Sequence, residues 1–356
     1  MKKFTRFLSG VLSIVALLSA TACGNSASDK SSGSAATASY SAEKPLTLRY
    51  ANQHPIDHVA YASAEAIKAE VEEKTGGRVL IDIYPASTLG DFEQMYEEVI
   101  RGTIDIAHIS GSDRFDPRCN ASLIPYITYT YDGLEDTFGP DSYVHQQLTE
   151  AYNKLGVTFM GVYCEGFCGV GIGKQLKNAN VSNADKDALI RCVGFSAVKA
   201  SAERLGFRTS TIPYSDTFTA IQTGVVEGWI GGPPNLNYLT FRDVIKYYYQ
   251  YSFFHEATQM MVSNKAFEKL TAEDQEILRE AMSKQCVASY TNCKEEDDKY
   301  RDLLRDEGIE VIMFSDDELK AIAEDIRDNA WPKVEDFFGK EFMDGLRADI
   351  AAREGT

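Results

Sequence analysis

Residues 188–194, "ALIRCVG", and residues 213–232, "PYSDTFTAIQTGVVEGWIGG", decide how this chain is read. The first is a short apolar strand interrupted by one arginine, Arg191. A guanidinium held on a rigid element offers a planar fork of donors that matches a carboxylate. In the second, Pro213 ends an extended run, Ser215 can cap a helix, and Phe218 and Ile221 fall on one helical face. Gly224 stops that helix, and "VVEGWI" reads as a strand leading into Gly231-Gly232-Pro233-Pro234.

A second copy of this pattern lies upstream, in residues 91–111, "DFEQMYEEVIRGTIDIAHISG". Tyr96 matches Phe218, Val99 matches Ile221, Gly102 matches Gly224, Ile104 matches Val226 and Asp105 matches Glu227. Each copy is a helix, a glycine stop and a strand with an acidic residue near its start. Before the first copy, "LTLRYAN" (46–52) alternates as a strand and residues 60–79 form an amphipathic helix closed by Gly76-Gly77. "VLIDIYP" follows as another strand. Strands alternating with helices predict a layered α/β fold. Ligands of such sheets sit beyond the carboxyl ends of the strands. That places His108–Ser112 and Trp229–Pro234 on either side of one cleft, with His54 in the loop "NQHPIDH" (52–58) either presented to the ligand there or left as a surface-loop histidine.

The last third is helical: one or two long helices over 263–308, a strand at "IEVIMF" and a helix capped by Ser315. The aromatic run "DVIKYYYQYSFFHEATQMMVS" (243–263) reads as a buried strand where the chain crosses between lobes.

The N-terminus has the form of an export signal. Lys2, Lys3 and Arg6 precede the apolar run "FLSGVLSIVALLSA", and Ala20-Thr21-Ala22 precede Cys23. This resembles a lipobox, which implies a lipid on Cys23; an ordinary secretory signal with an incidental cysteine is the alternative. Residues 24–44 are rich in Ser, Ala and Gly and predict a flexible tether. The net charge of −17 becomes −20 once Lys2, Lys3 and Arg6 are removed. So acidic a body lacks the clustered Lys and Arg that phosphate contacts need, which argues against a nucleic-acid partner.

Six further cysteines remain. Export permits disulfides, but Cys164 and Cys168, four apart on a strand, cannot easily bond each other, and free buried thiols are the preferred reading. Neither these cysteines nor His58, His108, His145 and His255 show metal-ligand spacing, so neither a metal nor a cofactor is expected. A thiol hydrolase using Cys164 or Cys168 would need a nearby base that no local motif supplies. No GxSxG, P-loop or HExxH motif is present.

From Leu46 to about Phe338 the chain resembles the DctP-type solute-binding proteins of TRAP (tripartite ATP-independent periplasmic) transporters. "EKTGGRV…IYPASTLGDFEQMYEEVIRGTIDIA" and "ALIRCV…PYSDTFTAIQTGVVEGWI" carry the resemblance in order, spacing and both glycine stops. It implies a two-lobed periplasmic-binding-protein-like α/β fold with crossing strands and long C-terminal helices. Residues 45–166 plus 256–294 would form lobe I, and 167–255 plus 295–356 lobe II. The resemblance further implies capture of a small organic acid in the cleft and delivery to a TRAP membrane permease. The setting would be extracytoplasmic, with the protein held at the membrane by lipidated Cys23. A binding protein serving a receptor or another transporter is the alternative role.

Arg191 falls on the family's carboxylate-gripping arginine and Tyr214 on an aromatic pocket position. Trp229, mid-strand, reads as core or as pocket wall. Gly231 stands where many members have an asparagine, and Cys168 near where many have a second arginine. Asp187 replaces a glycine before the arginine strand. The first two departures remove polar grip, which points to a monocarboxylate or a bulkier, more apolar acid.

Overall fold

A computed structural model describes residues 39–355; the signal, Cys23 and most of the tether lie outside them. Eleven strands form two sheets. The first contains β1 (Leu46–Asn52), β2 (Val79–Tyr84), β3 (Ile106–Ile109), β4 (Val157–Phe167) and β10 (His255–Ser263), in the order β2-β1-β3-β10-β4. The second contains β5 (Val170–Ile172), β6 (Leu189–Cys192), β7 (Arg208–Thr211), β8 (Gly228–Ile230), β9 (Tyr247–Gln250) and β11 (Glu310–Met313), in the order β11-β9-β5-β8-β6-β7.

The internal repeat is visible in this topology. β1 pairs in parallel with β2 and β3, as β6 does with β7 and β8, and an antiparallel strand then flanks β3 and β8. The matched acids do the same job. Asp105 Oδ2 accepts the Arg49 backbone N–H and Glu227 Oε2 accepts that of Leu189, at 2.9 and 2.8 Å. Each carboxylate thereby pairs a central-strand N–H, in mid-β1 and at the start of β6, that would otherwise be left without a partner.

The flanking strands are exchanged between lobes. β4 of the first sheet runs straight into β5 of the second, and β9 of the second runs into β10 of the first. The aromatic run is therefore two strands in different sheets rather than one, with Tyr251–Phe254 making the crossing. At the crossing the two segments pair, Cys168 N–H donating to Phe254 O at 2.9 Å and Phe253 N–H to Cys168 O at 3.0 Å.

One long helix, Ala272–Asp306, is capped by Thr271 and lies along both lobes. Its buried stripe is mainly apolar beside lobe I (Leu278, Met282, Cys286, Tyr290) and polar at the crossing (Asp297, Arg301). Asp297 Oδ2 accepts from Phe167 N–H at 2.9 Å and from Tyr131 OH at 2.6 Å. Arg301 donates to Gln250 Oε1 at 2.9 Å, and Gln250 Nε2 donates to Phe167 O at 2.9 Å. The ends of β4 and β9 are thus clamped to the same helix.

Ser315 and Glu318 form a capping box for the helix Asp316–Asn329, which is joined to lobe II by the Arg204–Asp325 ion pair. Ser215, by contrast, does not cap: the helix Tyr214–Gln222 starts after Pro213 with no side-chain cap, since proline already fixes the entry backbone. Trp331 is buried and donates to Pro125 O at 2.9 Å, and the last helix, Lys340–Glu354, packs on Tyr143–Lys154 beside the first sheet. Residues 295–356 are therefore shared between the lobes.

Candidate functional site

Arg191 sits on β6, in register with Trp229 of β8 and Ser210 of β7. It is 6% exposed. Among the described residues its one side-chain hydrogen bond runs from Nε to the Ile212 carbonyl at 2.9 Å, so the Nη fork is uncommitted. Burial lowers its pKa, but a guanidinium stays charged. The Tyr214 ring lies 6.0 Å from the guanidinium carbon and is 47% exposed. Behind it, Trp229 is buried against Phe241 (4.3 Å between rings) and donates from Nε1 to Asn237 Oδ1 at 3.0 Å. Trp229 is thus a wall supporting Tyr214, whose ring centroid lies 6.0 Å away.

Gly231 has φ +139, and a Cβ there would lie 3.0 Å from the Trp229 ring. That backbone suits only glycine, so an asparagine would require a different loop path. Cys168 is buried, its Sγ 3.6 Å from Glu256 Oε2. His54 is buried with its Nε2 2.8 Å from Glu165 Oε1. Arg191, Tyr214 and Trp229 cluster in lobe II, while His54 belongs to a separate polar cluster in lobe I. Cys168 lies at the crossing.

The lobe I cluster was not legible along the chain. His54 stacks on His58 (4.5 Å) and lies 5.2 Å from His108. Glu165 Oε2 is 3.5 Å from His58 Nε2, and Thr258 Oγ1 donates to Glu165 Oε1 at 2.5 Å. Asn235 of lobe II reaches His58 Nε2 at 3.2 Å. Burial pushes the Glu165 carboxyl up, but the flanking His54 and His58 outweigh it and hold the group below the usual carboxylate range. His58 is lowered to about 4, by burial first and then by His54. Along the chain His54, His58 and His108 have no regular metal-ligand spacing, and Glu165 is a lone acid between Cys164 and the Gly166–Phe167 pair. A cavity of about 440 Å³ borders Glu165, Ser63, Tyr163 and the long helix; Arg191 does not line it.

Glu256, half-buried in the aromatic run, lies beside Cys168, with Glu165 and Arg191 near enough to act on its charge. Burial, then the Glu165 charge, raises its pKa to about 8. The native state holds a proton that the unfolded chain releases near pH 4.3. Its contribution to stability is therefore present at low pH and is lost as pH rises through about 8. Asp297, raised to about 7 mainly by burial, acts in the same direction. His255, lowered to about 3 by burial, opposes them only below about pH 6.5. The melting temperature of the ligand-free protein should fall from pH 6.5 to 8.5, and Glu256→Gln should flatten that slope. A wild-type melting temperature that rises over this range would contradict the assignment.

All six body cysteines are free and buried. Burial raises Cys164 and Cys168 well above the usual thiol range, the opposite of what a thiolate nucleophile needs.

A family model described as bacterial extracellular solute-binding protein, family 7 (DctP), matches residues 50–335. The chain is 23% identical over 283 residues to the sialic acid-binding periplasmic protein SiaP of Vibrio cholerae, covering 77% of this chain and 85% of that protein. It is 22% identical over 328 residues to the ectoine-binding periplasmic protein TeaA of Halomonas elongata, covering 85% and 90%. A TRAP periplasmic solute binding protein from Sulfitobacter sp. NAS-14.1 with bound β-D-galacturonate has a TM-score of 0.74 at 22% identity, over 84% of this chain and 98% of that one. One from Shewanella oneidensis with bound succinate has a TM-score of 0.74 at 17% identity, over 86% and 99%. At these identities the structural likeness speaks to the two-lobed fold.

Proposed function

The chain belongs to family 7 of the bacterial extracellular solute-binding proteins, and from that premise we propose that it captures a small organic acid between its lobes. The acid is passed to a TRAP membrane permease, and a lipid on Cys23 holds the protein at the membrane outside the cytoplasm. The observation that carries this reading is Arg191: a buried cation on a rigid strand whose Nη fork has no carboxylate partner among the described residues. A buried charge is costly unless paired, so the site favours a ligand that brings a carboxylate. Tyr214, backed by Trp229, supplies an apolar wall for the rest of that ligand. Acids bound by relatives, among them sialic acid, galacturonate and succinate, suit the same reading.

The cleft departs from a plain dicarboxylate receptor. Cys168 stands near where many family members carry a second arginine and brings no cation, which favours one carboxylate and a hydroxylated or bulky remainder. The uncharged Cys164 and Cys168 support a binding role over hydrolysis. Thermal-shift screening of the full chain against organic acids tests the proposal. A ligand present at 100 times its Kd should stabilise the protein by about 2.7 kcal/mol. If no carboxylate raises the melting temperature, the reading fails. Turnover abolished by Cys168→Ser would overturn it in favour of an enzyme.

A further inference from the structure

We propose that His54, His108 and Glu165 form a binding site for one divalent transition-metal cation of the zinc class. The three side chains project from the carboxyl ends of β1, β3 and β4, which run in the same direction in the lobe I sheet. One ring nitrogen of each histidine and one Glu165 oxygen lie within 4.8 Å of one another. All three residues are buried, at 4%, 0% and 1% exposure.

The surrounding hydrogen bonds dictate which nitrogens carry protons. Asn52 Nδ2 donates to Ala60 O, so its Oδ1 is the acceptor that meets both His54 N–H and His54 Nδ1, at 2.8 and 2.9 Å. His54 Nδ1 therefore holds a proton, and in the neutral ring Nε2 presents a lone pair. That Nε2 is 2.8 Å from Glu165 Oε1 yet is not aligned for a hydrogen bond. Two acceptor atoms this close in a buried site need a positive charge at them, either a proton on Nε2 or a metal ion beside both. The Thr258 hydroxyl gives its proton to Glu165 Oε1, so its oxygen accepts from His108 Nε2 at 2.9 Å. His108 Nδ1 is left with a bare lone pair, and it and Glu165 Oε2 are buried without hydrogen-bond partners.

Outer hydrogen bonds that fix the tautomer and orientation of each ligand are what metal-binding histidines and carboxylates use. His58 belongs to this outer layer: its Nδ1 accepts from Ala60 N–H at the start of the helix Val59–Lys74, and its Nε2 lies 3.5 Å from Glu165 Oε2 and 3.2 Å from Asn235 Nδ2. Two imidazoles and one carboxylate suit zinc, cobalt or nickel better than calcium or magnesium, which prefer all-oxygen shells. Three protein ligands leave a coordination position open.

The test uses the full-length chain without a polyhistidine tag, treated with chelator, and carrying Cys23→Ser so that no thiol outside the core competes. Cobalt(II) alone is titrated and followed by its visible absorption, with zinc(II) followed by calorimetry. One equivalent should bind to the parent chain. His54→Ala/His108→Ala should abolish stoichiometric binding. Thr258→Val, which touches only the positioning layer, should weaken it by about 10- to 100-fold while the circular dichroism spectrum stays native. Failure of the folded parent to bind either ion, or binding unchanged in Thr258→Val or in the double variant, would overturn the site and leave a buried His54–Glu165 ion pair. No organic acid is present, so the outcome is independent of the role proposed for Arg191.

Discussion

Replacing Arg191 by alanine is expected to weaken organic-acid binding by about 2–5 kcal/mol, a rise in Kd of roughly 30-fold to several-thousand-fold. The size follows from desolvation. In the closed cleft the ligand carboxylate loses water, and without the guanidinium it becomes a buried, unpaired charge. The same substitution should cost the ligand-free protein little. The lost bond to Ile212 O is one hydrogen bond, and removing an unpaired buried cation offsets it. Isothermal titration with the best acid from the thermal-shift screen, beside melting curves of both proteins, separates the two effects. Retained affinity would remove Arg191 from the site, and a collapsed melting temperature would make it a structural arginine.

Asp297→Ala is expected to be the most damaging change outside the cleft, destabilising the protein by about 3 kcal/mol. It leaves the Phe167 N–H and the Tyr131 hydroxyl without their acceptor in a buried place, each at about 1–3 kcal/mol. Asp297→Asn keeps one acceptor oxygen and should cost clearly less, particularly above pH 7, where the raised pKa makes the buried carboxylate unfavourable. Denaturant unfolding of the three proteins at pH 6 and pH 8 measures both comparisons. Equal losses for alanine and asparagine would show that the clamp on β4 is not held by this hydrogen bond. Because Phe167 lies where the chain passes between sheets, a weakened clamp should also broaden the range of lobe openings, detectable by small-angle scattering.

Local pattern made much of this architecture readable. Gly102 and Gly224 stop equivalent helices at φ 79 and 75, and Asp105 and Glu227 brace equivalent strands. Ser315 caps the helix that the sequence assigns to it, and Thr271 caps the long helix in the same way. These features are set within ten or so residues, the range over which periodicity and capping chemistry act. The aromatic run 243–263 reads as one strand in the sequence yet forms two, because both of its halves are buried; apolar continuity does not mark the point where a chain leaves one sheet for another.

The lobe I cluster marks the boundary of what local pattern reaches. Thr258 meets Glu165 across 93 residues and His108 across 150. They meet because β10 is inserted between β3 and β4, an order no single strand encodes. The sequence by itself determined two repeated α/β halves and the rigid strand that carries Arg191. Only the tertiary structure decided that exchanged strands bring three histidines around one glutamate and set Glu256 beside it. Side-chain periodicity fixes which face of a strand is buried, whereas the neighbours on that face follow from strand order.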